Sequence, residues 1–181
     1  MKTIDRRLFL AATLACAAAT QAQAQAPKDT PWDQLIPKGW DPMAGFKRPP
    51  TAGLLSDSDP RVLEMMRELR EVWDRAPTRP ELDGTPVQLS GYVVPLEQSR
   101  GELREFLLVP YFGACIHSPP PPANQIVHVL PAKAAKGLRS MDVVTVRGAI
   151  RTQRGDTAMG ATGYRIDAAN VEPYVAPEPA R

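Results

Sequence analysis

The fold is decided by a valine-rich stretch near the C-terminus, Asp142-Val143-Val144-Thr145-Val146-Arg147-Gly148-Ala149-Ile150. Its length and its density of β-branched side chains predict a β-strand. A glycine-rich link over residues 155–163 follows and is typical of a mobile hairpin loop. Residues 164–171 then predict a further strand, so this part of the chain has the pattern of the last two strands of a small barrel.

Three earlier strands complete the pattern. Residues 87–94 alternate in polarity, with Gly91 marking a bulge or a close backbone approach, and short apolar runs follow at 105–109 and 126–130. Residues 132–138 predict a short helical turn. This order predicts a mainly β domain over residues 82–175, a small five-stranded OB-like Greek-key barrel, with an open β-sandwich as the alternative. The fold alone assigns no function.

One helix is predicted before the barrel, over residues 58–76. Asp59 is expected to cap it and Pro60 to occupy its first position, while Pro77 prevents its continuation. Its predicted core face carries apolar side chains at helical spacing: Val62, Met65, Met66, Leu69 and Trp73.

The segment before this helix, residues 27–57, predicts an irregular arm, because six prolines interrupt any periodic structure. Its aromatic side chains, which include Trp32 and Trp40, are too apolar for a free linker and predict an arm docked on the domain. Residues 176–181 predict a frayed tail.

Residues 1–26 predict an export signal. A basic start with Arg6 and Arg7 precedes an alanine-rich apolar run, and small residues alternate up to a cleavage position near Ala26. The Arg-Arg-Leu-Phe-Leu stretch is similar to a twin-arginine signal, with general secretion as the alternative route. We therefore expect a periplasmic protein whose mature chain has no transmembrane span.

The charges of the mature chain balance. Three of the 22 basic residues and one of the 20 acidic residues lie in the leader, which leaves equal numbers of each. Neither nucleic acid nor an anionic membrane surface is therefore an expected partner.

A possible site lies in the proline-rich stretch Gly113-Ala114-Cys115-Ile116-His117-Ser118-Pro119-Pro120-Pro121-Pro122-Ala123-Asn124-Gln125. Cys16 would leave with the leader, so Cys115 would have no partner for an internal disulfide. A lone cysteine in an oxidising compartment indicates burial, metal binding or catalysis. Residues two apart on an extended chain face the same side, which would bring the Cys115 thiol and the His117 imidazole together.

A thiolate beside an imidazole favours zinc, with copper second. We expect metal ligands at Cys115, His117 and His128, and a carboxylate such as Glu97 or Asp142, or a water, would complete the shell.

Two alternatives stay open. In a cysteine-dependent enzyme, the less favoured case, His117 would activate Cys115, and Asn124 or Gln125 would orient the pair. In a non-catalytic interaction module, Cys115 would be a core residue, and the proline run or the aromatic arm would bind a partner. Asn124 and Gln125 could also simply cap the proline turn.

Several stretches resemble the bacterial domain-of-unknown-function family 3299, over most of residues 32–175. They are Trp32-Asp33-Gln34-Leu35-Ile36-Pro37, Leu82-Asp83-Gly84, Gly91-Tyr92-Val93-Val94-Pro95-Leu96-Glu97, Phe106-Leu107-Leu108-Val109-Pro110-Tyr111-Phe112-Gly113-Ala114-Cys115-Ile116-His117 and the Pro-Pro-Pro-Pro-Ala-Asn-Gln run. The resemblance implies exported periplasmic proteins or lipoproteins, often encoded beside ABC-transporter components. It thus implies an envelope accessory role in which transition-metal handling is plausible. This chain departs from the lipoprotein members because it lacks a convincing lipobox.

Overall fold

The computed structural model describes residues 27, 29–44, 56, 58–113 and 120–176. These residues contain one α-helix, α1 (Pro60–Asp74), and short 3-10 turns at Trp32–Leu35, Pro80–Leu82 and Ala123–Gln125. The strands are β1 (Pro86–Ser99), β2 (Glu102–Val109), β3 (Val127–Pro131), β4 (Ala135–Lys136), β5 (Val143–Arg151), β6 (Gly155–Thr157), β7 (Gly160–Thr162) and β8 (Tyr164–Pro173). Five predicted site residues lie outside the described ranges, namely Arg6, Arg7, Ala26, Cys115 and His117.

Five of the strands close into a barrel. Strand β1 pairs with β5, β5 with β8, β8 with β3, β3 with β2, and β2 again with β1. The β3–β8 pair is parallel and the other four are antiparallel. This closed mixed barrel confirms the predicted β class and is compatible with an OB-like barrel, so the open sandwich was the wrong alternative.

Alternate side chains of the strands fill the barrel interior, as strand geometry requires. Phe106, Leu108, Val127, Val129 and Ile166 are buried there without measurable exposure. The arm contributes to the same core, because Leu35 is fully buried within it and Trp32 packs against it. Residues 32–35 of the arm therefore pack against the barrel core.

Gly91 lies where two backbones come close together. A Cβ at this position would lie 2.6 Å from the carbonyl oxygen of Val109 and 3.0 Å from the Trp32 ring. Of the two possibilities left open for Gly91, close approach is the one observed. The register shifts between β1 and β2 lie further along, between Pro95 and Gln98.

The helical turn predicted over residues 132–138 was wrong. Residues 135 and 136 form β4 instead, in which Ala135 pairs with Leu103 and Lys136 with Glu102. Lys136 Nζ also lies 3.4 Å from a Glu102 carboxylate oxygen. Strand pairing here overrides the local helical propensity of the sequence. The glycine-rich link does form a hairpin, made by β6 and β7.

Helix α1 begins as predicted, since the Asp59 carboxylate accepts a hydrogen bond from the Arg61 backbone N–H at 2.9 Å. Val62 and Leu69 are buried, but Met66, predicted on the same core face, is 39% exposed. The buried stripe is therefore narrower than predicted, and Met66 lies at its margin.

Within the described part of the chain, we find no helix with the length and apolar character needed to cross a bilayer.

Candidate functional site

The predicted metal motif lies in the connection between β2 and β3, and the structure describes the residues on either side of it. Gly113, on the N-terminal side, is buried, has φ +80° and donates its backbone N–H to the Met141 sulfur at 3.4 Å. On the C-terminal side, Pro120 and Pro121 are buried. The segment that holds Cys115 and His117 is thus flanked by two positions packed into the domain.

This connection lies beside a second apolar cluster, separate from the barrel core. Val94, Leu107, Val109 and Ile126 are at most 1% exposed and form its centre. Four partly buried residues pack against them: Tyr92, Leu96, Met141 and Met159. Two methionine thioethers therefore belong to this cluster.

Met141 was not identified from the sequence as a site residue. It adopts φ +68°, a left-handed conformation that is uncommon for a residue other than glycine. Its backbone N–H donates to the Val93 carbonyl at 2.8 Å, which fixes the residue against β1. A thioether is a soft metal ligand, but no local sequence pattern marks Met141, because its position depends on a contact with Gly113.

His128 lies on the outer side of β3, opposite Leu107 of β2 and Arg165 of β8. Its Nε2 atom lies 2.6 Å from Glu105 Oε1, and its side chain is 12% exposed. Glu105 lies two residues before Leu107 on β2. It is therefore further than Leu107 from Val109, where β2 ends and the connection with the motif begins. If Nε2 donates to Glu105, the neutral ring offers Nδ1 as its metal-binding atom.

Neither predicted carboxylate joins His128 in a three-residue group. Glu97 is the register partner of Glu105. The Asp142 carboxylate accepts the Arg139 backbone N–H at 2.8 Å. Among the residues that the structure describes, no group of three or more His, Cys, Asp and Glu side chains has the arrangement to hold a metal ion.

Asn124 and Gln125 connect the end of the proline run to distant parts of the chain. Asn124 is fully buried and donates to the Pro77 carbonyl at 3.0 Å. Its Oδ1 atom is buried without a hydrogen-bond partner among the described residues. Gln125 donates to the Trp32 carbonyl at 2.8 Å. These amides attach the proline run to the arm and to the segment after α1, and Asn124 retains one free acceptor.

Two comparisons with known proteins found a relationship. The family model described as "Protein of unknown function (DUF3299)" matches residues 32–173. The structure is also similar to the crystal structure of a DUF3299 family protein from Pseudomonas aeruginosa PAO1, with 40% sequence identity and a TM-score of 0.66. That similarity covers 84% of this chain and 99% of the other.

A search of curated proteins found no match. The family match extends from the Trp32 turn to the end of β8, and so includes the arm, the helix and the barrel. The chain belongs to the DUF3299 family.

Proposed function

We propose that this chain is an exported periplasmic accessory protein that binds a transition metal through Cys115 and His117 and acts with an envelope transport system. The observation that carries the proposal is the position of Gly113, held against the Met141 sulfur at 3.4 Å. Gly113 precedes Cys115 by two residues, which an extended chain spans in at most about 7 Å. The Met141 sulfur is therefore a third ligand available close to the Cys-x-His motif.

Which metal is expected depends on the third ligand. Thiolate and imidazole favour zinc, and a thioether as third ligand would shift the preference towards copper(I). His128 would bind through Nδ1, with Glu105 fixing the ring as a carboxylate partner. Zinc with His128 and copper(I) with Met141 are the two arrangements to distinguish.

Hydrogen bonds and burial around the proline run bear on the two alternatives. The Gln125 side-chain N–H groups already donate to the Trp32 and Asn124 carbonyls, so they are not available to orient His117 for nucleophilic catalysis. Asn124 keeps an Oδ1 atom that has no partner among the described residues, and it remains the amide that could do so in the enzyme alternative. Pro120 and Pro121 are buried, and the Trp32 indole N–H donates to the Ser90 carbonyl at 2.8 Å. Pro120 and Pro121 therefore offer little surface to a partner protein.

Metal content tests the proposal directly. We expect near-stoichiometric metal in protein purified from the periplasm without an affinity tag, measured by mass spectrometry, and its loss in Cys115→Ser and in His117→Asn. Met159→Leu is the control, because it changes a thioether of the same cluster, whereas the Gly113 N–H donates to the Met141 sulfur. Equal metal content in wild type and Cys115→Ser would overturn the proposal.

The third ligand is tested separately. If copper(I) uses Met141, Met141→Leu should weaken copper(I) binding about tenfold or more and leave zinc binding unchanged. If zinc uses His128, His128→Asn should weaken zinc binding by a similar factor. If both variants keep wild-type affinity for both metals, neither residue is a ligand.

Export has its own test. We expect the chain in the periplasmic fraction with an N-terminus near residue 27 by mass spectrometry. Replacement of Arg6 and Arg7 by lysine should retain the protein in the cytoplasm if the twin-arginine route is used, and should have little effect under general secretion. An intact N-terminus in the cytoplasm of wild-type cells would refute the localisation.

A further inference from the structure

We propose that a groove on the outer surface of β1, β5 and β8 binds a neutral saccharide. The groove has a volume of about 430 Å³ and lies between residues 29–32 of the arm and residues 172–175 at the end of β8. Its floor consists of Gln88, Ser90, Thr145 and Arg147. It shares no residue with the metal motif or with the apolar cluster beside it, so this inference does not depend on the proposed function.

Both walls are fixed to the strands below them. On the arm side, Thr30 donates its backbone N–H to the Gln88 carbonyl at 2.8 Å, and the Trp32 indole donates to Ser90 at 2.8 Å. On the other side, the Tyr174 backbone N–H donates to the Val143 carbonyl at 3.0 Å. The groove is therefore formed without a ligand, as small-molecule sites usually are.

The centre of the floor is a pair of hydroxyls. Ser90 Oγ and Thr145 Oγ1 lie 3.0 Å apart, and Thr145 is only 7% exposed. One hydroxyl donates its hydrogen to the other, so the second hydroxyl keeps a hydrogen without an acceptor among the described residues. A hydroxyl or carbonyl oxygen of a ligand would satisfy it.

Arg147 supplies further donors beside this pair. Its Nε donates to Gln88, and Nη1 donates to Glu172 Oε2 at 2.6 Å, which leaves other guanidinium N–H groups unaccounted for by these contacts. The hydrogen bond from Arg147 holds the pKa of Glu172 below its usual range, so Glu172 remains an ionised acceptor near neutral pH. With Asp29 also lining the groove, two carboxylates and one guanidinium give a net charge of −1, which disfavours an anionic ligand.

The walls add apolar surface to these polar groups. Trp32 and Tyr174 line opposite sides, and Tyr174 is 42% exposed. Pyranose rings have one apolar C–H face and a rim of hydroxyls, a combination that suits aromatic walls and a polar floor. The volume is within the usual range of about 300–1,000 Å³ for small-molecule sites and fits a sugar of about two units.

A peptide fits less well. Peptides often bind by adding a strand to a free sheet edge. The floor offers no such edge, because β5 pairs with β1 on one side and β8 on the other, and the outer edge of β1 at Gln88 is covered by the arm through the Asp29 bridge. Recognition must therefore use side chains, and the side chains here suit hydroxyl groups.

The test is an NMR titration of ¹⁵N-labelled protein with two neutral disaccharides, cellobiose and N,N′-diacetylchitobiose. We expect a saturable shift of the Trp32 indole N–H, assigned with Trp32→Phe. Tyr174→Ala, at an exposed wall position, should weaken binding about fivefold or more, and Thr145→Val about two- to tenfold. The matched control is Tyr111→Ala, which removes a tyrosine of similar exposure outside the groove and should change nothing.

Three results would overturn the proposal. The first is no saturable shift with either sugar up to about 10 mM. The second is undiminished binding by Tyr174→Ala when its spectrum shows a folded protein. The third is a Trp32 shift with an uncharged tetra-alanine amide that saturates at lower concentration than with either sugar, which would indicate a peptide site. Tighter binding of a tetrasaccharide than of its disaccharide would identify a glycan chain rather than a free sugar as the ligand.

Discussion

At the scale of single residues, Tyr164 connects three separate parts of the molecule. Its buried hydroxyl donates to the Leu35 carbonyl at 2.7 Å and accepts the Arg79 backbone N–H at 2.7 Å. Burial is the main cause that raises the pKa of this phenol above 10.0. The hydroxyl must stay protonated to donate to Leu35, so the attachment of the arm depends on pH.

This dependence gives a prediction at alkaline pH. Because the pKa of Tyr164 is higher in the folded state, the folded chain holds the proton that the unfolded chain loses above pH 10.0. The free energy of unfolding should therefore fall as pH rises from about 10 towards the folded-state pKa. Urea unfolding at a series of pH values measures this.

Tyr164→Phe should reduce this decline, and it should also lower stability at neutral pH by about 1–3 kcal/mol, since the buried Leu35 carbonyl and the Arg79 backbone N–H lose their hydrogen bonds. The control is Tyr111→Phe, at an exposed position. If Tyr164→Phe and wild type lose stability in parallel above pH 10, Tyr164 is not the group responsible.

Some side-chain contacts could be predicted from the sequence and others could not. The Asp59 cap was predictable, because its partner, the Arg61 N–H, is two positions away. The pairing of His128 with Glu105 was not, because the two lie 23 positions apart and meet only through the β2–β3 register. The contact between Met141 and Gly113 could not be predicted for the same reason, because the two residues lie 28 positions apart.

At the scale of elements, the positions of the strands could be predicted from polarity patterns in the sequence. The residues at which strands end and turn depend on pairing with neighbouring strands. β1 continues to Ser99, beyond the predicted residue 94, because it pairs with β2 along this extension as far as the Ser99–Glu102 pair. A tight turn at Arg100 and Gly101, both with positive φ, then joins the two strands. Pairing of residues 135 and 136 with Leu103 and Glu102 of β2 explains why they form a strand rather than a helical turn.

Gly91 gives a prediction at this scale. An alanine Cβ would meet the Val109 carbonyl oxygen at 2.6 Å, and a paired backbone cannot move away easily. Gly91→Ala should therefore destabilise the domain by about 1–3 kcal/mol or more, measured by urea unfolding.

Gly155→Ala is the matched control for this strand position. Its Cβ would meet the Thr162 side-chain hydroxyl at 3.0 Å, outside the barrel. A smaller loss of stability is expected there. Equal losses in the two variants would mean that the β1–β2 approach at Gly91 is not tight.

At the scale of the whole molecule, the arm completes the barrel instead of merely covering it. The Trp32–Leu35 turn places Leu35 in the barrel core, and its carbonyls accept hydrogen bonds from the Gln125 amide and the Tyr164 hydroxyl. The β class and the barrel could be predicted from the sequence, but this attachment could not, since these bonds join residues 93 and 129 positions apart. The same arm forms one wall of the proposed saccharide groove, so its stability would affect ligand binding.

The arm and the barrel should consequently unfold together. We expect one transition in urea, with tryptophan fluorescence and far-UV circular dichroism changing at the same concentration. Leu35→Ala should lower the free energy of unfolding by about 2–5 kcal/mol, because it leaves a cavity in the core. Leu63→Ala, at a position on α1 that is 57% exposed, is the control and should change it by less than about 0.5 kcal/mol. A fluorescence transition that precedes the dichroism change, with Leu35→Ala shifting only the first, would mean that the arm detaches on its own.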